Sequence, residues 1–559
     1  MIKGFPSTMN DDWQLNVNKL IDYAGKTHGD SQVVSYRILQ GGKTHRLNYR
    51  TVSSRVSAVS AQLKALGIKP GDRIAVLGWN DHRYFELYFA ISGIGAVMLQ
   101  LNLRLNPDEV TYILDHSKAR ALFVDDSLLN LAETLSSKHK FDFVVVMSDG
   151  KVDTTNQKLG VVYSYEDFVE SGSKQEFQWE DIDEKSAATA CYTSGTTGLP
   201  KGVYYSHRSL ILHTWSIAQA SGMNVNDTLL QIVPLFHANG WGIHMAAAMS
   251  GSKVVFPGRY TPESLTELLL QEKVTVTVGV PTILSGMAQA LQKKGISPDL
   301  SNLRIISGGS EPPLALMKTW MGYGAKFVHA YGATETTPLA TVNHPKMGSM
   351  SGLSDDVLMD YKRKQGYSTF GVDLKLVGPD GKEVSHDGKT AGEIWLRGPW
   401  IIRKYHEDKR TEEQCTPEGW WRSGDVGTVD QFGYLKIMDR IKDVIKSGGE
   451  WISSVDLENF LVGHPAILEA AVVGIPHPKW DERPLAFIVL RKDYSGDERE
   501  KLKGELKDFL SKKFVKWQVP DDFLFVGEIP KTSVGKIAKR LLRDQYSDFY
   551  TKSGSKSAV

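Results

Sequence analysis

A layered α/β protein with a second, smaller α+β domain is what this sequence predicts, and three observations carry that expectation. Strand-like runs alternate with amphipathic helical runs over residues 52–147 and again over 274–307, the mark of a parallel sheet with helices on its faces. From about Val372 short strands and glycine turns take over, at Pro379-Asp380-Gly381, Asp387-Gly388 and Gln431-Phe432-Gly433, which predicts a small antiparallel or β-barrel-like part. After Arg440 apolar strands accompany a charged amphipathic helix, so residues 1–439 and 440–559 are expected to form separate domains. A chain of 559 residues also exceeds what one hydrophobic core serves.

Taken in order, Val52, Val56, Val59, Leu63 and Leu66 recur at steps of four and three, a helix that Gly67 should stop, with residues 73–77 as the following strand. Residues 85–91 read as the next helix and 96–99 as its strand. Asn106-Pro107-Asp108-Glu109 combines a cap, a first-turn proline and a carboxylate three residues after the cap, and so opens a helix before the strand 121–124. Residues 143–147 give one more strand, and 274–278 and 303–307 resume the pattern. In the last part, 468–473 and 486–490 read as strands and 497–514 as the charged helix.

Composition narrows the function. Lys plus Arg number 66 and Asp plus Glu 65, a net charge of +1, which gives no electrostatic case for nucleic acid or an anionic membrane surface. Two cysteines, Cys191 and Cys415, cannot form a disulfide framework, and no Cys/His cluster has zinc-ligand spacing, so the cytoplasm is expected. The N-terminus lacks the apolar core of a signal peptide. The most apolar run, 84–101, is broken by Ser92, Gly93 and Gly95 and reads as helix then buried strand rather than as a transmembrane segment.

The chemistry concentrates in Thr193-Ser194-Gly195-Thr196-Thr197-Gly198-Leu199-Pro200-Lys201-Gly202. Glycines let backbone N–H groups turn around an anion, hydroxyls add neutral donors, and Lys201 supplies a compact positive charge, so the stretch is suited to phosphate. A Walker-type loop is excluded because Lys201 precedes its glycine and residues 203–205 read as extended chain before a helix capped by Ser206. The loop is expected to join two strands.

This string resembles the phosphate loop of the adenylate-forming enzymes, which include acyl-CoA synthetases, luciferases and peptide-synthetase adenylation domains. Partner strings extend the resemblance from about Asp12 to Tyr546, and it implies a mobile C-terminal domain and the substrates ATP, CoA and a small carboxylic acid, with Mg²⁺. Ala330-Tyr331-Gly332-Ala333-Thr334-Glu335 resembles the family's nucleotide motif. By that resemblance Ala330, Tyr331 and Gly332 flank adenine and the acyl carboxylate, Thr334 meets a phosphate, Gly309 lies at the nucleotide, and Glu335 with Thr197 holds the metal. Asp425 in Trp421-Arg422-Ser423-Gly424-Asp425 and Arg440 match the ribose contacts, a carboxylate being suited to a diol.

Lys536 in Pro530-Lys531-Thr532-Ser533-Val534-Gly535-Lys536 matches the adenylation lysine, an electrostatic role beside Glu335 and Lys201. Lys446-Ser447-Gly448-Gly449-Glu450-Trp451 matches the loop that forms the CoA tunnel, although the bare string could equally be a hairpin turn, and Lys442 matches the hinge. Phe236-His237-Ala238-Asn239-Gly240-Trp241 is similar to the medium-chain fatty acyl-CoA synthetase group, which also holds methylthiopropionate-CoA ligases, and places His237 and Trp241 at the acyl pocket with Gly308 and Gly332. The glycines suggest open space there, whereas Trp241 and His237 could shorten it.

The resemblance implies an acid–thiol ligase working through acyl-AMP, with a medium-chain saturated acid first, short branched or thioether acids next and aryl acids third. A homodimer is compatible with it. Two rivals stand beside this reading: a free-standing enzyme that loads a carrier protein, although no carrier segment is seen, and a nucleotide-binding relative without catalysis.

Overall fold

The computed structural model describes residues 2–37, 41–193, 199–447, 450–491, 494, 499–531 and 537–553. Two large sheets dominate it. One has seven strands, in the order Val162–Ser164, Phe143–Met147, Ala119–Asp125, Arg73–Leu77, Val97–Gln100, Ala187–Thr193 and Lys201–Ser206, all parallel except the last pair. The other has nine, from Tyr367–Ser368 at one edge to Lys43–Asn48 at the other, parallel through its middle and antiparallel at both ends.

Strand residues alternate between faces, and each face is apolar, so helices cover both sides of each sheet. Ile74 and Val76 enter the core between the sheets, while Ala75 and Leu77 enter the outer core of the seven-stranded sheet. Val33 and Val34 divide likewise between the central core and the outer core of the nine-stranded sheet. The central layer holds the helix His82–Ser92, every residue of which is buried. This is the apolar run 84–101, and it is a helix followed by the strand Val97–Gln100, as its glycines predict.

Local signals place the elements well. The helix Tyr49–Ala65 ends just before Gly67, which has φ 78°. Asn106 and Glu109 form the reciprocal capping box of Pro107–Ser117, and the Ser206 side chain accepts from the Ser209 N–H to start His207–Ser221. The strand expected at 274–278 is displaced to Val276–Gly279, and the one expected at 96–99 to Val97–Gln100.

The short strands Asp373–Val377, Gly392–Arg397, Trp421–Val429 and Leu435–Arg440 form an antiparallel meander. It is open rather than barrel-like, because its first and last strands are not paired among the described residues. Beyond it, Ile467–His477 and Asp481–Leu490 build a long hairpin in a five-stranded sheet. The helices Ser454–Val462 and Arg499–Ser511 cover one face of that sheet and Lys539–Gln545 and Phe549–Ser553 the other. Among the described residues no helix is long and apolar enough to cross a membrane.

Candidate active site

The expected phosphate loop is the tip of a hairpin. Ala187–Thr193 and Lys201–Ser206 pair antiparallel with Thr193 opposite Lys201, so residues 194–198 connect two strands as predicted. Ser194, Gly195, Thr196, Thr197 and Gly198 lie outside the described residues. The Thr193 hydroxyl at the loop's base is buried and has no hydrogen-bond partner among the described residues, a polar atom of the kind a bound ligand satisfies.

Lys201 is only 8 % exposed and Glu335 9 %. Lys201 Nζ donates to Gln414 Oε1 at 2.6 Å and stands 4.0 Å from the centre of the Tyr405 ring. Glu335, in the turn Thr334–Thr336 after the strand Lys326–Gly332, accepts from the Tyr405 hydroxyl at 2.8 Å. Burial pulls the Lys201 pKa down while the Glu335 carboxylate opposes the shift. Cation and carboxylate are thus linked through Tyr405 and Gln414, with no direct ion pair between them among the described residues.

The expected ribose contacts are neighbours. Asp425 and Arg440 are cross-strand partners in the meander, with Arg440 Nε 3.5 Å from Asp425 Oδ1, and the Tyr331 hydroxyl donates to Asp425 Oδ2 at 2.6 Å. Burial, then the charge of Asp425, raises the Tyr331 pKa, so the phenol stays a donor. Tyr331 lies four residues before Glu335, so one strand and turn carry a member of each cluster.

Around the expected acyl pocket, Trp241 lies against Gly308: a Cβ there would meet the Trp241 ring at 3.1 Å and the Ala330 carbonyl at 2.9 Å. Neither glycine leaves room for a side chain: the Trp241 indole and the Ala330 carbonyl occupy that space at Gly308, and a Cβ on Gly332 would stand 1.6 Å from the Pro338 carbonyl. Gly309 has φ 82°, a left-handed conformation in which glycine is unstrained. His237 is half-buried and precedes five residues in the left-handed region, Ala238 to Gly242.

Asn239 fixes that turn: its Oδ1 accepts from Gln100 Nε2 at 2.6 Å and from Thr189 Oγ1 at 2.7 Å. Nothing in the sequence marks Asn239 beyond its place in the motif. Tyr405 and Gln414 went unmarked as well, since neither has a spacing relative to Lys201 or Glu335 that carries chemistry.

The expected CoA loop is a hairpin, Ile445–Ser447 paired with Glu450–Ile452, and Gly448 and Gly449 at its tip lie outside the described residues. Lys446 is exposed and its N–H donates to Glu482 Oε2 at 2.9 Å. Arg483, which sequence reasoning missed, braces the hairpin: it donates to Ser447 Oγ at 3.0 Å and pairs with Asp521 at 2.7 Å. Glu450 and Trp451 lie on the second strand. Lys442 follows the last strand of the meander, and its carbonyl accepts from Arg543. Lys536 lies outside the described residues.

A strand pair flanking residues 194–198, a buried lysine and carboxylate, and an Asp425–Arg440 pair thus sit on an α/β frame with a smaller C-terminal sheet. The AMP-binding enzyme model matches residues 21–406 and the AMP-binding enzyme C-terminal domain model residues 456–536, so this chain belongs to the AMP-binding enzyme family. It is 38 % identical to the 3-methylmercaptopropionyl-CoA ligase of Ruegeria pomeroyi over 96 % of this chain and 98 % of that one. It is 41 % identical to the long-chain-fatty-acid–CoA ligase of Thermus thermophilus over 98 % of both chains. It is 38 % identical to the medium-chain-fatty-acid–CoA ligase of Ectopseudomonas oleovorans over 97 % of this chain and 98 % of that one. The crystal structure of the anthranilate CoA ligase AuaEII in complex with anthranoyl-AMP shares the fold, with TM-score 0.82 at 24 % identity, over 98 % of this chain and all of that one.

Proposed function

We propose that this chain is an ATP-dependent fatty acid–CoA ligase, with medium-chain acids as its preferred substrates, acting through acyl-AMP. The carboxylate attacks the α-phosphorus, pyrophosphate leaves, and the CoA thiol then displaces AMP. The observation that carries the reading is the convergence of Lys201 and Glu335 on one buried wall, joined by one strand and turn to the Tyr331, Asp425 and Arg440 cluster.

In this reading Lys201, Thr193 and the loop 194–198 hold the β- and γ-phosphates, with Thr334 beside them. Asp425 and Arg440 hold the ribose, and Gly309, Ala330, Tyr331 and Gly332 frame the base and the acyl carboxylate. Lys536 stabilises the charge that builds as the α-phosphorus becomes five-coordinate. Lys446, Gly448, Gly449, Glu450 and Trp451 shape the CoA tunnel, and residues 440–559 turn about Lys442 against 1–439.

The donor set fits Mg²⁺. Among the described residues no group of three His, Cys, Asp or Glu could cage a metal ion, and Glu335 offers the single buried carboxylate that Mg²⁺ takes when water and substrate phosphates complete its shell. When bound there with Thr197, the ion would neutralise phosphate charge. Two buried free thiols, Cys191 and Cys415, fit a cytoplasmic setting. A homodimer is compatible with this reading, and gel filtration distinguishes it from a monomer.

A shorter thioether or branched acid is the second reading, favoured by Trp241 standing over Gly308 and by the likeness to the Ruegeria protein. Pyrophosphate release and CoA thioester formation across acids from C2 to C16 test both. The expected result is acid-dependent pyrophosphate release and a CoA-dependent thioester with an optimum among medium chains. Adenylate without thioester would point to a carrier-loading enzyme, and no acid-dependent release would reject catalysis.

A further inference from the structure

We propose that Tyr405 is the positioning residue that orients Glu335 for its metal ion through the phenol hydroxyl and presents Lys201 to phosphate through the ring face. This inference rests on the assignment of Glu335 and Lys201 made above. Tyr405 is 2 % exposed, and it is pinned beside the phosphate hairpin because the N–H of the next residue, His406, donates to the Gly202 carbonyl at 2.9 Å.

Three polar groups meet at its hydroxyl. Trp421 Nε1 donates to it at 3.3 Å, and the acceptors Glu335 Oε1 and Gln414 Oε1 lie at 2.8 and 2.7 Å. A phenol has one proton, so only one acceptor can be served at a time. Gln414 must turn its oxygen toward Lys201, because the ammonium cannot accept, and that oxygen already takes the Lys201 bond at 2.6 Å. The phenol proton therefore goes to the carboxylate, where the bond is charge-assisted.

A carboxylate fixed at one oxygen presents the other in a defined direction, which is how outer-shell donors tune metal ligands. The ring does a separate job. Lys201 Nζ stands 4.0 Å from its centroid, and a lysine held between an aromatic face and an amide oxygen has fewer rotamers to lose when phosphate arrives.

Tyr405→Phe deletes the hydroxyl and keeps the ring face, whereas Tyr405→Leu deletes both. The readout is Mn²⁺ binding in the presence of α,β-methylene ATP, followed by electron paramagnetic resonance. Affinity for the metal-free analogue is measured by calorimetry, with thermal melting alongside. Tyr405→Phe is expected to weaken Mn²⁺ binding about tenfold or more while leaving metal-free analogue binding within about threefold. Tyr405→Leu should weaken both. Unchanged Mn²⁺ binding in Tyr405→Phe, with Glu335→Gln abolishing it, overturns the inference and leaves the metal assignment standing. Unchanged Mn²⁺ binding in Glu335→Gln removes the assignment itself. Equal loss of metal and analogue binding in Tyr405→Phe, with a lowered melting temperature, reduces Tyr405 to a packing role and also overturns the inference.

Discussion

His213 is folded into the core with its Nε2 accepting the Leu339 N–H at 3.2 Å, and burial pushes its pKa down to about 3. Burial likewise takes His244 to about 3 and His207 and His329 to about 4, from an ordinary 6.5. Below about pH 6.5 the unfolded chain binds protons that these folded rings refuse, so stability falls as pH drops and keeps falling until the folded values are reached. Each histidine contributes about 1.4 kcal/mol per pH unit inside that window. Urea midpoints should therefore drop between pH 6.5 and 4.5, and His213→Gln, which can still accept the Leu339 N–H, should flatten the slope by one proton. The same slope in the variant would mean that His213 titrates normally. At the same scale, Lys536→Ala should cut adenylate formation about a hundredfold or more while sparing thioester formation from supplied acyl-adenylate. Equal loss of both half-reactions would remove that role from Lys536. Single residues were legible in the sequence where a motif carried them: Lys201, Glu335, Asp425 and Arg440 all fall in two connected clusters. Tyr405 was not, because a buried tyrosine 70 positions from its carboxylate partner looks like any core aromatic until the chain is folded.

The element that carries Trp241, the residue proposed to bound the acyl pocket, is the turn from Ala238 to Gly242, with φ between 47° and 69° throughout. Non-glycine residues in this region carry strain of about 1 kcal/mol or more each, and they persist only when their surroundings over-determine them. Here Asn239 is held by Gln100 and Thr189, and Gln231 Nε2 donates to the Gly240 carbonyl at 3.0 Å, so neighbouring strands fix the turn from both sides. It presents the Trp241 ring to Gly308. Trp241→Ala should therefore open the pocket and move the chain-length optimum toward longer acids, each accommodated methylene contributing at most about 1 kcal/mol, or roughly fivefold in specificity. An unchanged ranking of acids with a uniform loss of rate would assign Trp241 to the core instead. Helices and strands of regular period were read correctly from sequence, because caps and alternation are local. This turn was not, since a left-handed run containing alanine, asparagine and tryptophan contradicts local preference and exists only through tertiary hydrogen bonds. The need for glycine at 332 is equally invisible in the sequence, because the Pro338 carbonyl that excludes a side chain there is brought in by the fold.

At the scale of the whole molecule, the proposed function asks one site for two chemistries: Lys536 would serve adenylation and Gly448-Gly449 would serve CoA, and both belong to the C-terminal 120 residues or so of the chain. They can alternate only if that part turns, and the contacts around Lys442 show what a turn must rearrange. Asp439, at the end of the meander, accepts from the Ser454 N–H at 2.9 Å, and Lys436 pairs with Asp456 at 2.9 Å. Arg543 grips the segment itself, pairing with Asp443 at 2.7 Å and donating to the Lys442 carbonyl. Behind them Lys539 is buried against Glu458 at 2.9 Å, so the arrangement is locked by ions that are costly to separate out of water. A hinge in such a place absorbs the change in a few backbone dihedrals, and proline fixes φ near −65° without touching any ligand. Lys442→Pro should preserve acid-dependent pyrophosphate exchange within roughly tenfold while lowering CoA thioester formation about a hundredfold or more. The two half-reactions, measured separately on the same preparation, decide the matter: equal loss of both, or retention of both, would make Lys442 a linker residue and move the pivot elsewhere.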